Sequence, residues 1–248
     1  MEQFEKLNFE PYARLLTMLS EQLIKNEVVA LTEIVKNSYD ADAPWVKITF
    51  EGFGTNMVAT RNSRIIIEDA GCGMSESTLK DDFINPASAH KKIEKDAGNR
   101  TPLGRIYQGE KGIGRFSLFK LGKKITVITK TDKDITARKI CIDLSIYEDE
   151  FIKENNEQYK LSEITVDYFP VDETDFNEEI FLANGLSKRK GKGTIIIIEE
   201  LNDSWGKGKI EKLQSELFSL IGNVYGEGFS IYFFEGNSFL YSFLRIPG

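Results

Sequence analysis

The chain has 248 residues, 41% of them hydrophobic, and a formal net charge of −7. That is room for one large domain with an ordinary core, or one domain plus part of another. No run of eighteen apolar residues occurs, which excludes a hydrophobic helix long enough to span a bilayer, and the acidic balance argues against a surface that coats nucleic acid.

The first residues, MEQFEKLNFEPYARLL, include acidic side chains and no apolar h-region, so no secretory signal is expected. Cys72 and Cys141 make neither a disulfide framework nor a zinc cluster. A reduced, cytoplasmic setting is the expectation.

Tyr12, Leu15, Leu16, Leu19 and Leu23 recur at helical spacing and predict a helix over 10–25. A second helix is predicted from about Val28 to Tyr39. Asp42-Ala43-Pro44 stops it, because a residue before proline avoids the helical region. Trp45–Phe50 alternates and reads as a strand, and 52–62 as a hairpin or loop. Arg64–Glu68, with three consecutive isoleucines, reads as a buried central strand. Ser77–Phe83 reads as a helix with Ser77 as a candidate N-cap. Residues 85–112 are polar, basic and glycine-bearing, with two prolines, and read as a mobile lid over a site. A helix follows at Ile113–Leu121, then strands at Lys124–Thr131 and Thr136–Leu144. The acidic stretch at about 145–190 reads as an insertion with some helix. Gly193-Thr194 opens a strand at Ile195–Glu200. A helix near Lys207–Val224 and a hairpin of Phe229–Glu235 and Phe239–Ile246 complete the pattern. Residues 1–202 are taken as one domain, and 203–248 as the opening of a following, transducer-like one.

Charge is unevenly placed. From Pro86 to Lys139 there are fourteen Lys or Arg against five Asp or Glu, a balance of +9; from Ile140 to Leu186 there are two against thirteen, a balance of −11. Two solvated patches of opposite sign would account for this. The overlap of the basic block with a glycine-rich turn favours a polyphosphate site.

Three spaced segments carry the chemistry: EIVKNSYDA at 33–41, EDAGCGM at 68–74 and GEKGIGRFS at 109–117. Glu33, Asn37 and Asp40 fall at i, i+4 and i+7 and share one side of a helix. A polar stripe is usually a solvated face, but this set has a purpose. A glutamate can orient and deprotonate water. An asparagine oxygen suits Mg²⁺, which takes the rest of its shell from waters and phosphates, and Asp40 can support that shell through water. Asp69 ends a buried strand, where its carboxylate can accept from an exocyclic amine; Gly71 and Gly73 leave room for a flat base. The competing reading is an ordinary Asp-Gly turn. Gly109, Gly112 and Gly114 precede a helix whose exposed N–H groups can bind an anion, with Lys111 and Arg115 adding charge or merely facing solvent. Thr194 is either a β-former or a hydroxyl beside Asp69. His90, the lone histidine, is given no role.

Together these motifs resemble the GHKL ATPases: DNA gyrase B, the ninety-kilodalton heat-shock chaperones, sensor histidine kinases and MutL, with the MORC proteins. The resemblance covers roughly residues 20–201 and is drawn nearest to bacterial Hsp90-like or MORC-like members. It implies the Bergerat fold: an α+β sandwich with a mixed sheet, helices on one face and a mobile ATP lid. It implies that Glu33 is the general base and that Asn37 is the magnesium ligand. It implies that Asp69 reads adenine with Gly71, Gly73 and Met74, and that Gly109, Gly112 and Gly114 form the phosphate-binding lid hinge, beside which Lys111, Ile113 and Arg115 are also expected to bind the nucleotide. Thr194 would lie behind the adenine.

The expected activity is therefore Mg²⁺-dependent binding and slow hydrolysis of ATP. Lid closure and a nucleotide-dependent homodimer are implied by resemblance alone. Two alternatives remain: a module that senses ATP without turnover, and a histidine-kinase-type phosphotransfer domain. A following domain or partner protein is expected to supply any catalytic lysine, for which Lys207, Lys209 and Lys212 have no identifying motif. Nucleic acid is expected only through a longer protein, and no membrane contact.

Overall fold

The computed structural model describes residues 8–85, 98–109, 114–147, 151–171, 176, 179–182, 185–188, 191–223 and 228–244. Helix α1 (Leu15–Leu23) is followed by α2 (Glu27–Asp40). Residues 10–14, predicted to belong to α1, pair elsewhere: the Leu161 amide donates to Pro11 O, and Ala13 N donates to Tyr159 O. That tertiary pairing replaces the first helical turns. Asn26 caps α2, its Oδ1 accepting the Val29 amide at 2.9 Å, which satisfies one of the donors a helix start leaves open. Beyond Asp40 the chain turns through Asp42 at φ 57°.

The strands follow in chain order as β1 (Trp45–Glu51), β2 (Arg64–Asp69), β3 (Gly122–Lys130), β4 (Ala137–Asp143), β5 (Asp167–Val171), β6 (Glu179–Leu182), β7 (Gly185–Lys188), β8 (Gly193–Leu201), β9 (Ser230–Glu235) and β10 (Ser238–Leu244). Helix α3 (Phe116–Leu121) runs directly into β3, and α4 (Lys207–Asn223) joins β8 to β9. Among the described residues, eight strands form one sheet in the order β10-β9-β1-β2-β8-β3-β4-β5, while β6 and β7 pair with each other. Neighbours run antiparallel except β1 and β9, which are parallel. Parallel neighbours need a crossover, and α4 lies on the connection that brings the chain back.

The two-residue period of the strands sorts side chains between faces. Val46, Ile48 and Phe50 of β1 share one buried cluster with Ile65 and Ile67 of β2, Leu31 and Ile34 of α2, Leu118 of α3 and Leu213 of α4. Each such aliphatic or aromatic side chain contributes about 1.5–3 kcal/mol of burial. Ile66 points to the opposite face, where Ile128, Ala137, Ile195 and Phe176 form a smaller cluster. The result is the expected α+β sandwich, helices on one face of a mixed sheet.

Three expectations change. The helix predicted at Ser77–Phe83 is π-helical over Thr78–Phe83, and Ser77 makes no capping bond. The helix starts earlier, so Ser75 is the cap, its Oγ accepting the Thr78 amide at 3.1 Å. The acidic stretch supplies the edge strand β5 as well as a 3₁₀ turn at Leu161–Glu163. Finally, the sheet does not break at residue 202. β9 pairs with β1 from Trp45↔Ser230 to Phe50↔Glu235, and Ile231 and Phe233 enter the main cluster. Without β9, the outer edge of β1 would present unpaired backbone groups.

α4 is also tied to α2. Lys209 Nζ lies 2.7 Å from Glu27 Oε1. Burial works against the Glu27 charge, but the hydrogen bonds from Lys209, the backbone and Asp203, with the Lys209 charge, together outweigh it, so the carboxyl sits below its usual range. Neighbouring Asp203 is pushed up by burial and by the Glu27 carboxylate.

Candidate functional site

Asp69, Thr194 and Thr129 form one row across three strands. Asp69 of β2 is in register with Thr194 of β8, and Thr194 with Thr129 of β3. All three are buried and lie on the helix side of the sheet. The Asp69 carboxylate accepts the Ser38 hydroxyl at 2.8 Å on one oxygen and the Gly71 amide at 2.9 Å on the other. Hydrogen bonds to an ionised oxygen are stronger than neutral ones, so α2 and the turn after β2 together orient this carboxylate. Thr129 Oγ1 accepts the Met74 amide at 2.9 Å, donates to Gly193 O at 3.0 Å and lies 3.1 Å from Thr194 Oγ1.

Two glycines permit this close approach. Gly73 has φ 69°, and a Cβ there would lie 2.0 Å from Lys130 O; Gly193 has φ 135°, and a Cβ there would lie 2.2 Å from Asp69 O. Any L side chain would be both strained and in collision.

The row forms one wall of a cavity of about 870 Å³. Asp69, Gly73, Met74 and Thr194 line it from the sheet side, and Glu33, Asn37 and Asp40 from α2. Gly109, Gly114 and Arg115 close a third side. Gly71 is not on the wall; its amide braces Asp69 from behind. Lys111, Gly112 and Ile113, with His90, lie outside the described residues.

Glu33 pairs with Lys36 at 2.7 Å, and the two side chains keep 26% and 23% of their exposure, so this carboxylate is reachable from the cavity. Asn37 stands against Gly114, where a Cβ would come within 2.8 Å of Asn37 Nδ2. Asp40 is turned otherwise than expected. Its oxygens accept the Gln108 and Gly109 amides at 2.7 and 3.0 Å, so it fixes the chain entering the glycine-rich turn. Arg115 is also occupied. Its Nη1 donates to Asp82 O, and to Phe83 O at 2.8 Å, and burial pulls the guanidinium below the usual arginine range.

The described part of the expected lid is anchored. Asp42 accepts the Thr101 hydroxyl and, at 3.0 Å, the Leu103 amide. Arg105 donates to Tyr39 O at 3.0 Å, Ala43 O at 2.9 Å and Gly228 O at 3.2 Å, while its guanidinium packs on the Tyr39 and Phe229 rings. Residues 98–109 are thus held in this structure by the end of α2 and the turn after it, through two carboxylates and two carbonyls. Arg105→Ala is expected to destabilise the protein by about 2–4 kcal/mol, since it orphans buried carbonyls and removes the cation–π contacts. Urea denaturation measures this, and faster amide exchange over 98–109 accompanies it.

Sequence reading missed Ser38, Thr129, Asp42, Arg105 and Gln108. Ser38 was within the first motif and is helix-borne on the sheet side, which periodicity alone allowed. Thr129 carried no local signal, because its partners come from Met74, Gly193 and Thr194.

A sequence model described as the histidine kinase-, DNA gyrase B-, and HSP90-like ATPase matches residues 25–175, more than half of the chain. The chain belongs to this family. The match spans the first two motifs and the glycine-rich turn, so the GHKL resemblance and its ATP-binding fold hold. A putative type II restriction enzyme, HgiDII of Herpetosiphon aurantiacus, is 33% identical over 117 residues, 47% of this chain and 17% of that protein. The DNA mismatch repair protein MutL of Pelotomaculum thermopropionicum is 31% identical over 110 residues, 44% of this chain and 16% of that protein. Neither relative bears on a placement nearest the heat-shock or MORC branch. Among the described residues, no helix is long and apolar enough to cross a membrane.

Proposed function

We propose that this GHKL domain binds ATP with Mg²⁺ in the 870 Å³ cavity and hydrolyses it slowly. The observation that carries the proposal is the convergence of Glu33 and Asn37 with the Asp69–Thr194 wall in one cavity of nucleotide size. Base and phosphate ends are then distinct: the sheet row takes the base, and Asn37, Gly109 and Gly114 take the phosphates.

No group of three or more His, Cys, Asp or Glu among the described residues fits a metal by itself. The amide oxygen of Asn37 fits a Mg²⁺ ion, which Asn37 would hold beside the nucleotide's phosphates. An ion held there would supply neutralisation of charge on the terminal phosphoryl group. Glu33 accepts a proton from the attacking water and aims it at the γ-phosphorus. Lys36, 2.7 Å from Glu33, holds that carboxylate in place. Asp40 acts indirectly by holding Gln108 and Gly109, and so the start of the glycine-rich turn, against α2. Asp69 accepts the exocyclic amine of adenine.

Closure of the lid expected over about 85–112, and dimerisation with it, belong to the same proposal, as does a cytoplasmic setting. Both relatives are named as DNA-processing proteins, and the matches cover 17% and 16% of them. That supports an ATPase module of a longer protein acting on DNA, with DNA contact made elsewhere than on this acidic domain. Phosphate release from ATP tests the core of the proposal. It is expected with Mg²⁺ present and to fall at least tenfold when EDTA removes the metal. Release unaffected by EDTA counts against the magnesium site.

A further inference from the structure

We infer that Thr129, which lies behind the cavity wall, sets base selectivity by holding the Thr194 hydroxyl as an acceptor toward the ligand; the inference rests on the nucleotide reading above. The argument is a count of hydrogens. Thr129 Oγ1 has one hydrogen and two lone pairs. Three groups reach it: the Met74 amide at 2.9 Å, Gly193 O at 3.0 Å and Thr194 Oγ1 at 3.1 Å. A carbonyl can only accept, so the Thr129 hydrogen goes to Gly193 O. An amide can only donate, so one lone pair takes Met74 N–H. The second lone pair takes the Thr194 hydrogen.

Thr129 is wholly buried, at 0% exposure, so no water substitutes for any of these partners. Thr194 lines the cavity with its hydrogen committed inward. What it offers the ligand is lone pairs. Its cross-strand neighbour Asp69 also lines the cavity and, ionised, is acceptor-only. Two acceptors side by side match a base edge that bears an amine, as adenine does. They oppose an edge that bears a carbonyl at the same place, as hypoxanthine does. A site built to pair one group leaves buried polar atoms unmatched when the other enters, and discrimination follows.

Thr129 is thus a positioning residue, acting through Thr194. Removing its hydroxyl frees the Thr194 hydrogen to turn toward the cavity, where it meets an amine badly and a carbonyl well. The test measures dissociation constants of the full chain for ADP and IDP by calorimetry, which avoids turnover. Wild type is expected to prefer ADP by at least about tenfold, and Thr129→Val to lower that preference by about tenfold. Thr129→Ser, which keeps the hydroxyl, is expected to retain the wild-type ratio. A Thr129→Val ratio equal to wild type overturns the inference, as does an equal loss of affinity for both nucleotides, which marks a packing role. If the valine variant does not fold, Thr194→Val removes the same acceptor from the cavity side; an unchanged ratio there overturns the inference too. Wild type binding neither nucleotide overturns the nucleotide reading instead.

Discussion

Replacing Asp69 with asparagine is expected to weaken ATP binding by a hundredfold or more while the protein stays folded. The substitution keeps size and shape, so no cavity opens. It changes which atoms accept. Two donors converge on the native carboxylate, the Ser38 hydroxyl and the Gly71 amide. The Gly71 N–H cannot rotate, so it keeps the single amide oxygen of asparagine. The new NH₂ then occupies the place of the other oxygen, where Ser38 can turn its hydrogen away but an adenine amine cannot. A donor faces a donor in a buried site. A hundredfold corresponds to about 2.7 kcal/mol, within reach of one lost charge-assisted hydrogen bond plus an unpaired group. Titration calorimetry with ADP, beside a thermal melt, separates loss of binding from loss of fold. A dissociation constant within about threefold of wild type would remove Asp69 from the base site.

Glu33→Gln carries the second large effect, on turnover rather than affinity. Phosphate release is expected to fall by about 10²–10⁴-fold, the usual contribution of a positioned base, while nucleotide affinity stays within about threefold. Glutamine fills the same volume and can still orient water, but it cannot take the proton. The lost pairing with Lys36 at 2.7 Å is a partly exposed i,i+3 contact, worth less than about 1 kcal/mol, so stability stays nearly unchanged. Single-turnover phosphate release at saturating ATP reads the chemical step directly. Equal release by wild type and variant would assign the domain to nucleotide sensing without turnover.

The two variants probe different ends of one cavity, and the sequence marked both ends unequally. The stripe Glu33, Asn37 and Asp40 was readable because a helix of known period turns spacing into a face. Asp69 was readable because three isoleucines placed it at the end of a buried strand. Roles that depend on a partner were not readable. Asp40 sits on the right face yet bonds to Gln108 and Gly109, some seventy residues away. Arg115 sits in the glycine-rich motif yet donates to the carbonyls of Asp82 and Phe83. Basic, glycine-bearing composition made 98–109 look unanchored, although Arg105 alone reaches three backbone carbonyls.

By itself, the sequence determined the class of this fold, the order of its main elements and the three segments that meet in the cavity. Those follow from periodicity and from residues whose chemistry is local: isoleucine runs, an amphipathic helix, glycines at sharp turns. Only the tertiary structure decided that the C-terminal strands pair into the same sheet through β1, that 98–109 is held down, and that Thr129 stands behind Thr194. Strand pairing and hydrogen-bond acceptance are contacts between residues far apart in the chain. No pattern along one segment records which distant backbone or hydroxyl will complete it.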